Sequence, residues 1–391
     1  MKLKKEFITI FVIQITEVLG FSLILPFLPF YAEDLGASPF MVGLILTSFS
    51  LFQFISAPIM GRLSDHYGRK PLLIFSQLST FLSFLILGFA GSLKMIFLSR
   101  IVDGLLGSNF TIAQAYLSDI STKKQRSRIF GLSGMAFGLG FLVGPAIGGF
   151  LSQFSYSIPA FLAAGVSFIT ILTTLIFLPE TVKRRKEIKL DLEIFNLSQF
   201  KKYFSEQKVA NKLWIFFTFI LTHALWVSTF ALYARRQLNL NSSDIGYMLA
   251  YIGLITIILR GFLLGKIIKL FGENRLKIIG IALVMIGLLF STIVTNYRMF
   301  LGVMTLFAVG NGFSRPLLTA GISKSVSGQE QGAILGVSNS LGSLSRIIGP
   351  LAGGFIINYF PPGVLGFVAA FIMAIGLTLM LKSQKQFWIN A

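Results

Sequence analysis

Residues 144–150 read Gly-Pro-Ala-Ile-Gly-Gly-Phe, and residues 349–355 read Gly-Pro-Leu-Ala-Gly-Gly-Phe. A second pair of stretches is separated by nearly the same distance, since residues 61–70 read GRLSDHYGRK and residues 265–274 read GKIIKLFGEN. Both members of this second pair have Gly, then a cation, and then another Gly seven residues after the first. The two offsets are 205 and 204 residues. Two unrelated coincidences at one offset are improbable, so the pattern predicts that the chain consists of two structural repeats.

The composition around these stretches places the repeats in a membrane. Of the 391 residues, 54% are hydrophobic and 13% are charged, whereas an ordinary soluble domain has about 25% charged residues. Because one crossing needs roughly 20 apolar residues, we predict an all-α membrane protein with twelve transmembrane helices in two six-helix bundles. The predicted spans are 7–30, 40–60, 71–92, 95–118, 128–151, 158–178, 213–233, 244–264, 276–296, 299–321, 331–357 and 364–382.

The polar stretch near 179–212 is the longest in the chain and divides six spans from six. We therefore predict an N-terminal bundle over 1–182, a cytoplasmic linker over 183–212 and a C-terminal bundle over 213–391. Within the linker, residues 192–204 could form an amphipathic helix on the membrane surface or remain a solvated connection. Most of the 34 Lys and Arg residues fall in segments on one side of the spans. This bias predicts a multi-pass protein of the inner or plasma membrane with both termini in the cytoplasm.

The composition also argues against several classes of function. The chain has no Cys and two His, which excludes thiolate sites and disfavours a His-based metal site. It has no Walker A pattern, so we expect no ATPase site of its own. We find no nucleophile–base constellation and expect no enzyme activity, no cofactor and no metal. The net charge of +19 lies mainly in loops between apolar segments, which argues against a nucleic-acid partner.

Several motifs resemble those of the major facilitator superfamily, over essentially the whole chain. Residues 61–70 resemble the family's G-x-x-x-D-x-x-G-R-K loop between helices two and three, and residues 98–104 (LSRIVDG) resemble its helix-four motif. A glycine and proline set resembles the helix-five motif associated with antiporters: Gly134, Gly138, Gly144, Pro145, Gly148 and Gly149. Glu17-Val18-Leu19-Gly20, followed by LPFLP at 25–29, looks most like the drug/proton and tetracycline/proton antiporters, which usually carry Asp at the position of Glu17.

For the loop, the resemblance implies a conformational latch of Asp65, Arg69 and Asp119 that holds the outward-facing state on the cytoplasmic side. The other loop residues assigned to it are Gly61, Arg62, Gly68 and Lys70. The carboxylate of Asp65 could accept from helix N-terminal amides or from a nearby arginine. The alternative, that the cations only follow the positive-inside rule, does not account for Asp65. In the second repeat Lys269 and Glu273 replace Asp65 and Arg69, so we expect the latch to be asymmetric.

Ionisable residues inside the predicted spans of the first half are candidates for proton coupling, because a charge in hydrocarbon is costly unless it is paired or hydrated. Glu17 is predicted near mid-membrane, with Gln14 one turn earlier; it either binds a proton or cation or forms a static pair. Arg100 and Asp103 share a face of span four, which we expect Gly107 and Gln114 to continue. The pair either neutralises itself or, as the motif resemblance implies, lets Arg100 act on Glu17 or Asp103 during proton transfer.

The second half carries candidates of the opposite sign. Arg315 and Arg346 have no counterparts in the first half, and both lie well within their spans, so we expect cavity-facing roles. His223 is either a second titrating group or a hydrogen-bonded structural residue. Arg260 lies near a predicted span end, where we expect its side chain to snorkel.

The leading hypothesis is a proton-coupled secondary antiporter that exports small amphipathic compounds or drugs by alternating access, an efflux function of the multidrug-resistance kind. Its partners would be a small-molecule substrate, the proton as coupling ion and the lipid bilayer, and we expect a monomer. An alternative keeps the fold but carries an organic anion or a sugar derivative, in uptake or export, because of the three intramembrane arginines. A third possibility is a non-transport membrane receptor.

Overall fold

The computed structural model describes residues 5–121, 126–182 and 197–389, which form α-helices and turns with no strand among them. The helices before the linker are α1 (Lys5–Ile24), α2 (Leu28–Asp34), α3 (Pro39–Tyr67), α4 (Arg69–Gly88), α5 (Leu93–Leu106), α6 (Asn109–Ile120), α7 (Arg126–Ser152) and α8 (Ser157–Phe177). Those that follow are α9 (Leu197–Ser205), α10 (Gln207–Leu238), α11 (Ser242–Ile258), α12 (Leu264–Phe271), α13 (Glu273–Phe290), α14 (Tyr297–Ser323), α15 (Gln331–Tyr359) and α16 (Gly363–Ile389).

These helices supply the predicted membrane spans. Within the described parts of the chain, ten helices or joined helix pairs are long and apolar enough to cross a membrane. α7 and α14, each of 27 residues, lie where the sequence predicts spans five and ten. The predicted all-α membrane fold is confirmed.

Three predicted spans are interrupted rather than continuous. Span one turns at 25–27 between α1 and α2, where Pro26 has no N–H to donate to a helix. Span four breaks at Gly107 and Ser108 between α5 and α6. Span eight contains a π-helical turn at Leu259–Leu263, between α11 and α12. The expectation that Gln114 continues the face of Arg100 and Asp103 stays a prediction, because a break separates α6 from α5.

Contacts divide the chain into two compact units. Unit 1 comprises the described residues of Met1–Ala37, Ser48–Ile194 and Asn241–Ala250, and unit 2 those of Ser38–Thr47, Phe195–Leu240 and Tyr251–Ala391. The units therefore differ from the predicted bundles of 1–182 and 213–391 at two places, because the first turns of α3 belong to unit 2 and those of α11 to unit 1.

Glycines allow the first turns of α3 to pack within unit 2 and the first turns of α11 to pack within unit 1. Within unit 2, a Cβ on Gly43 of α3 would lie 2.5 Å from the carbonyl oxygen of Pro350. Within unit 1, a Cβ on Gly246 of α11 would lie 2.8 Å from the Cα of Gly149. Such close approach of two backbones is possible only where side chains are absent.

The repeated Gly-Pro motif packs equivalent helices in each unit. In unit 1, α7 lies on α1, and a Cβ on Gly140 would meet the Val18 side chain at 2.9 Å. In unit 2, α15 lies on α10, where a Cβ on Gly349 would lie 2.7 Å from the backbone of Ala224, and one on Gly353 would lie 2.6 Å from the Thr229 hydroxyl. Gly144 and Gly148 likewise face α1, Gly138 is half-buried, and the surroundings of Gly134 lie outside the described residues.

A short helix follows the linker. α9 covers Leu197–Ser205, while residues 192–196 of the predicted surface helix lie outside the described residues. The following helix, α10, begins at Gln207, five residues before the end predicted for the linker at 212. Lys202 of α9 donates to Glu330 at the start of α15. This hydrogen bond raises the pKa of Lys202 and lowers the pKa of Glu330.

Candidate functional site

Unit 1 contains a chain of hydrogen bonds between four helices, here called the buried polar chain. The Asn109 amide nitrogen of α6 donates to Glu17 Oε2 of α1 at 2.7 Å and to Thr80 Oγ1 of α4 at 3.0 Å. The Thr80 hydroxyl in turn donates to Asp103 Oδ1 of α5 at 2.8 Å. Arg100 Nη1 lies 3.7 Å from Asp103 Oδ2 and completes the chain. Two carboxyl groups are thus connected through two neutral side chains.

Arg100 is fixed by further contacts inside unit 1. Its Nη2 donates to Ser83 Oγ at 3.1 Å and to Ser99 Oγ at 2.9 Å, and its guanidinium lies 5.9 Å from the centre of the Phe84 ring. The side chain is 2% exposed. A guanidinium held by several fixed acceptors has little freedom to leave its site.

The break between α5 and α6 positions the chain. Gly107 ends α5 and donates its amide to the Asp103 carbonyl at 2.7 Å. A Cβ at this position would meet both the carboxylate of Asp103 and the Thr80 hydroxyl, the latter at 3.0 Å. Glycine therefore lets the backbone pass beside the chain, and it places Asn109 in the first turn of α6.

Several buried polar atoms beside the chain have no hydrogen-bond partner among the described residues. They include Glu17 Oε1, Asn109 Oδ1 and both amide atoms of Gln14 and Gln77. Gln14 lies one turn before Glu17 on α1, and Gln77 one turn before Thr80 on α4. Buried polar groups rarely remain unpaired in a working protein, so this neighbourhood has the character of a binding site for a polar ligand or ion.

At one end of unit 1, the repeated loop forms a second constellation, here called the loop cluster (Asp65, Arg69, Asp119 and Glu180). The Arg69 guanidinium pairs with Asp65 one turn earlier and donates its Nε to Asp119 Oδ2 at 2.9 Å. It also donates Nη1 to Ser64 Oγ at 2.6 Å. One buried cation therefore connects the end of α3 to the end of α6.

Glu180 closes this cluster and was missed by the sequence reasoning. Its carboxylate oxygens accept from the backbone amides of Arg69 and Lys70, each at 3.0 Å. These are the first amides of α4, so Glu180 satisfies donors that the helix leaves free and opposes the positive end of its dipole. Asp65 was expected to accept either from such amides or from an arginine, and it accepts from the arginine. Arg62 and Gly61 lie half-buried beside the cluster.

Unit 2 carries its polar groups differently. His223 Nδ1 of α10 lies 2.7 Å from the Asn311 amide nitrogen of α14. Its ring stacks on Phe307, with centres 5.7 Å apart and planes 4° apart. Since the amide nitrogen donates, Nδ1 accepts and the proton of the neutral ring lies on Nε2.

Arg260 lies in the π-helical turn and is exposed, so its expected snorkelling stays a prediction. It donates Nε to the Gly312 carbonyl at 3.4 Å and Nη2 to the Asn311 carbonyl at 3.3 Å. Pro316, four residues after Gly312, has no N–H to give that carbonyl. The proline therefore leaves the Gly312 carbonyl free to accept from Arg260.

Arg315 and Arg346 have exposed side chains. Arg346 donates Nη2 to Ser343 Oγ at 3.0 Å. Neither arginine forms an ion pair with a carboxylate in the parts of the chain that the structure describes. Gln114 of α6 is half-buried.

Comparisons with known proteins agree with this architecture. The model of the Major Facilitator Superfamily matches residues 10–350 and 230–387. The chain belongs to this superfamily. It is 31% identical to the tetracycline resistance protein, class H, of Pasteurella multocida, over 98% of both chains. It is 28% identical to multidrug resistance protein 2 of Bacillus subtilis (strain 168), over 96% of both chains.

Solved structures of transporters share the fold. The human organic anion transporter MFSD10 (TETRAN) superposes with a TM-score of 0.73 at 20% identity, covering 97% of this chain and 100% of that one. The nucleoside transporter NupG superposes with a TM-score of 0.76 at 12% identity, covering 97% and 99%. At these identities the likeness concerns the fold alone. The family resemblance expected from the motifs is confirmed.

Three polar residues of the site lie outside the motifs that indicated the superfamily. Asn109, Thr80 and Glu180 are ordinary polar residues in the sequence, and none belongs to a motif that predicted its contact. Their partners lie 92, 23 and 111 residues away. Asn109 lies inside predicted span four, so a polar amide within an apolar stretch was the signal that could have pointed to it.

Proposed function

We propose that this superfamily member is a proton-coupled secondary antiporter that exports small amphipathic compounds or drugs by alternating access. Its curated relatives support the proposal, since they include tetracycline and multidrug resistance proteins that align along nearly the whole chain. We further propose that it is a monomer of the inner or plasma membrane with both termini in the cytoplasm, as the distribution of Lys and Arg predicts.

The buried polar chain is the observation that carries proton coupling. Glu17 lies in a membrane-spanning helix, where its carboxyl is hydrogen-bonded at Oε2 and unpaired at Oε1. A carboxyl in this setting can hold a proton on one oxygen without breaking an ion pair, unlike Asp65, which pairs with Arg69. Asp103 provides a second carboxyl three hydrogen bonds away. We assign proton binding to Glu17 and Asp103, and charge compensation of Asp103 to Arg100.

Flux measurements in proteoliposomes test the proposal. A pH gradient imposed across vesicles containing the wild type should drive a cationic dye against its concentration gradient. Glu17→Gln should abolish the gradient-driven flux but retain dye exchange in the absence of a pH gradient, because the uncharged amide cannot release a proton. Glu17→Asp is the matched control and should keep coupled flux, because it retains a carboxyl that can bind and release a proton. Gradient-driven export by Glu17→Gln at the wild-type rate would refute the assignment.

For the loop cluster we propose a conformational role. Asp65, Arg69 and Asp119 would hold the cytoplasmic ends of α3, α4 and α6 as one block in the outward-facing state, with Glu180 fixing the start of α4. Gly61, Arg62, Gly68 and Lys70 would shape the loop. The support for this role is that one buried guanidinium donates to several acceptors. Helix ends held together in this way move as a unit.

A second candidate substrate class is organic anions or sugar derivatives. Arg315 and Arg346 favour it, since both are exposed and neither pairs with a carboxylate in the described parts of the chain. Together with Gln14, Gln114 and His223, they are our candidates for substrate contact. Competition decides between the classes: carboxylate compounds should displace bound dye only if the arginines bind anions. Arg315→Gln should then abolish that displacement, whereas Arg315→Lys should preserve it.

A further inference from the structure

We propose that Asn109 and Thr80 are positioning residues that transmit the protonation state of Glu17 to Asp103 by reversing the direction of their hydrogen bonds. This inference rests on the proposed proton coupling and concerns how two carboxyls are made to act together. It follows from the donor and acceptor capacity of four side chains.

The directions in the structure are fixed by the available protons. Asn109 uses both hydrogens of its amide nitrogen, one on Glu17 Oε2 and one on Thr80 Oγ1. The Thr80 hydroxyl has a single proton, and it donates this proton to Asp103 Oδ1. Glu17 and Asp103 therefore both act as acceptors in this arrangement, which suits two ionised carboxylates.

A proton on Glu17 Oε1 would lack an acceptor, because that buried atom has no hydrogen-bond partner among the described residues. We therefore place the proton on Oε2, where it makes this arrangement impossible. The protonated oxygen becomes a donor that faces an amide nitrogen, which cannot accept. Asn109 Oδ1 is buried and unpaired. Rotation of the amide by about half a turn exchanges its oxygen and nitrogen, so Oδ1 then accepts from Glu17. The bound proton stays on Glu17, and no bond to carbon or nitrogen is formed or broken.

The rotated amide also changes Thr80. Asn109 Oδ1 now faces Thr80 as an acceptor, so the hydroxyl turns its one proton from Asp103 to Asn109. The lone pairs of Thr80 then face Asp103 Oδ1, which can keep a hydrogen bond only by taking up a proton of its own and donating it. Proton uptake by Glu17 therefore favours proton uptake by Asp103.

Electrostatic repulsion between the two carboxylates would have the opposite effect. Removing the charge of Glu17 relieves repulsion on an ionised Asp103 and thus opposes its protonation. Few other charges lie near enough to intervene. α8 has no ionisable residue and α7 has none from Gly138 to Ser152, while Asp119 and Tyr116 lie towards the far end of α6 and Arg69 and Lys70 at the far end of α4. Arg100 faces Asp103 from α5 itself.

Proton uptake by the purified full chain in detergent tests the inference, measured against pH with an indicator dye. The wild type should take up two protons more steeply than independent groups, and Glu17→Gln and Asp103→Asn identify which groups contribute. Thr80→Val has nearly the same shape without the hydroxyl and should give a curve shallower than that of independent groups. Thr80→Ser should restore the steep curve. The expected coupling is roughly tenfold in the proton binding constant, about the effect of one hydrogen bond to a charged group.

Asn109→Leu provides a second way to interrupt the relay and should also give the shallow curve, even where Thr80→Val fails to fold. A wild-type curve no steeper than that of Thr80→Val would overturn the inference, as would a steep curve in both interrupted variants. The proposed function is tested separately by dye flux. Wild-type flux that ignores the pH gradient would refute coupled export, whereas coupled flux with shallow uptake would refute only the relay.

Discussion

The loop at 61–70 in unit 1 and the loop at 265–274 in unit 2 have similar backbone turns but carry opposite charges at equivalent positions. Each contains a glycine with positive φ, 108° at Gly68 and 77° at Gly272, and each glycine caps the start of the next helix. In unit 1 the residue after the glycine is Arg69, which donates to Asp119 at 2.9 Å. In unit 2 it is Glu273, which accepts from Lys324 at 2.8 Å. Asp119 and Lys324 lie 205 residues apart, the offset of the repeat.

The two pairs differ in burial. Arg69 is 8% exposed, whereas the side chains of Lys324 and Glu273 are 63% and 39% exposed. A buried charge is costly to leave without its partner, whereas an exposed ion pair contributes little. The glycine therefore determines the turn in both loops, while the sign of the charges is free as long as the pair is complementary. Burial decides how much each pair matters.

Removal of the buried cation should have the largest effect. Arg69→Met leaves Asp65 and Asp119 without their partner, and because both carboxylates are partly exposed, we expect a loss of about 3 kcal/mol rather than the upper end for buried pairs. Unfolding of the purified protein in detergent measures the loss. Glu273→Gln, at the equivalent site of unit 2, is the control and should change little. Equal losses in the two variants would show that burial does not separate the loops.

Replacing each of the two glycines by alanine should separate the cost of backbone strain from the cost of a steric clash. Both positions lie in a region of positive φ that other residues rarely adopt, which costs on the order of 1–3 kcal/mol. A Cβ on Gly272 would meet nothing within 4 Å, whereas one on Gly68 would meet the Glu180 carboxylate. Gly68→Ala should therefore destabilise the protein more than Gly272→Ala in the same unfolding measurement. The reverse order would contradict the packing of Glu180 against Gly68.

Loss of the Glu180 carboxylate should have a smaller effect. Glu180→Ala leaves the amides of Arg69 and Lys70 without their acceptor and should cost about 1 kcal/mol, as expected for a helix cap. Glu180→Gln retains an acceptor oxygen without the charge and should lie between Glu180→Ala and the wild type. Hydrogen exchange at the first turn of α4 provides the local measurement. Unchanged exchange in Glu180→Ala would show that these amides are satisfied in another way.

Charge reversal in unit 2 should have the smallest effect. Glu273→Lys places like charges beside Lys324 and should cost less than about 1 kcal/mol, because the pair is exposed. The double variant Glu273→Lys with Lys324→Glu should regain the wild-type unfolding midpoint, and the difference should shrink at high salt. A double variant as unstable as the single one would mean that the sign of the pair is fixed by other contacts.

Much of the fold was predictable because it depends on properties that the sequence displays locally. Apolar stretches of about 20 residues predict spans wherever they occur, and equal offsets between two motifs predict a repeat. The interruptions were harder to predict. Gly107 breaks span four because of the atoms beside it on α4 and α5, and a glycine inside an apolar stretch is otherwise common in membrane helices.

The sequence by itself determined that this chain lies in a membrane and that Glu17 and Asp103 carry costly charges there, and it predicted that the halves are repeats. Only the tertiary structure decided which neutral residues connect those charges. Asn109 joins Glu17 across 92 residues, and Glu180 joins Arg69 across 111. Periodicity and motif spacing report on one helix or one turn at a time, whereas a hydrogen bond between helices depends on packing that brings distant parts of the chain within about 3 Å of each other.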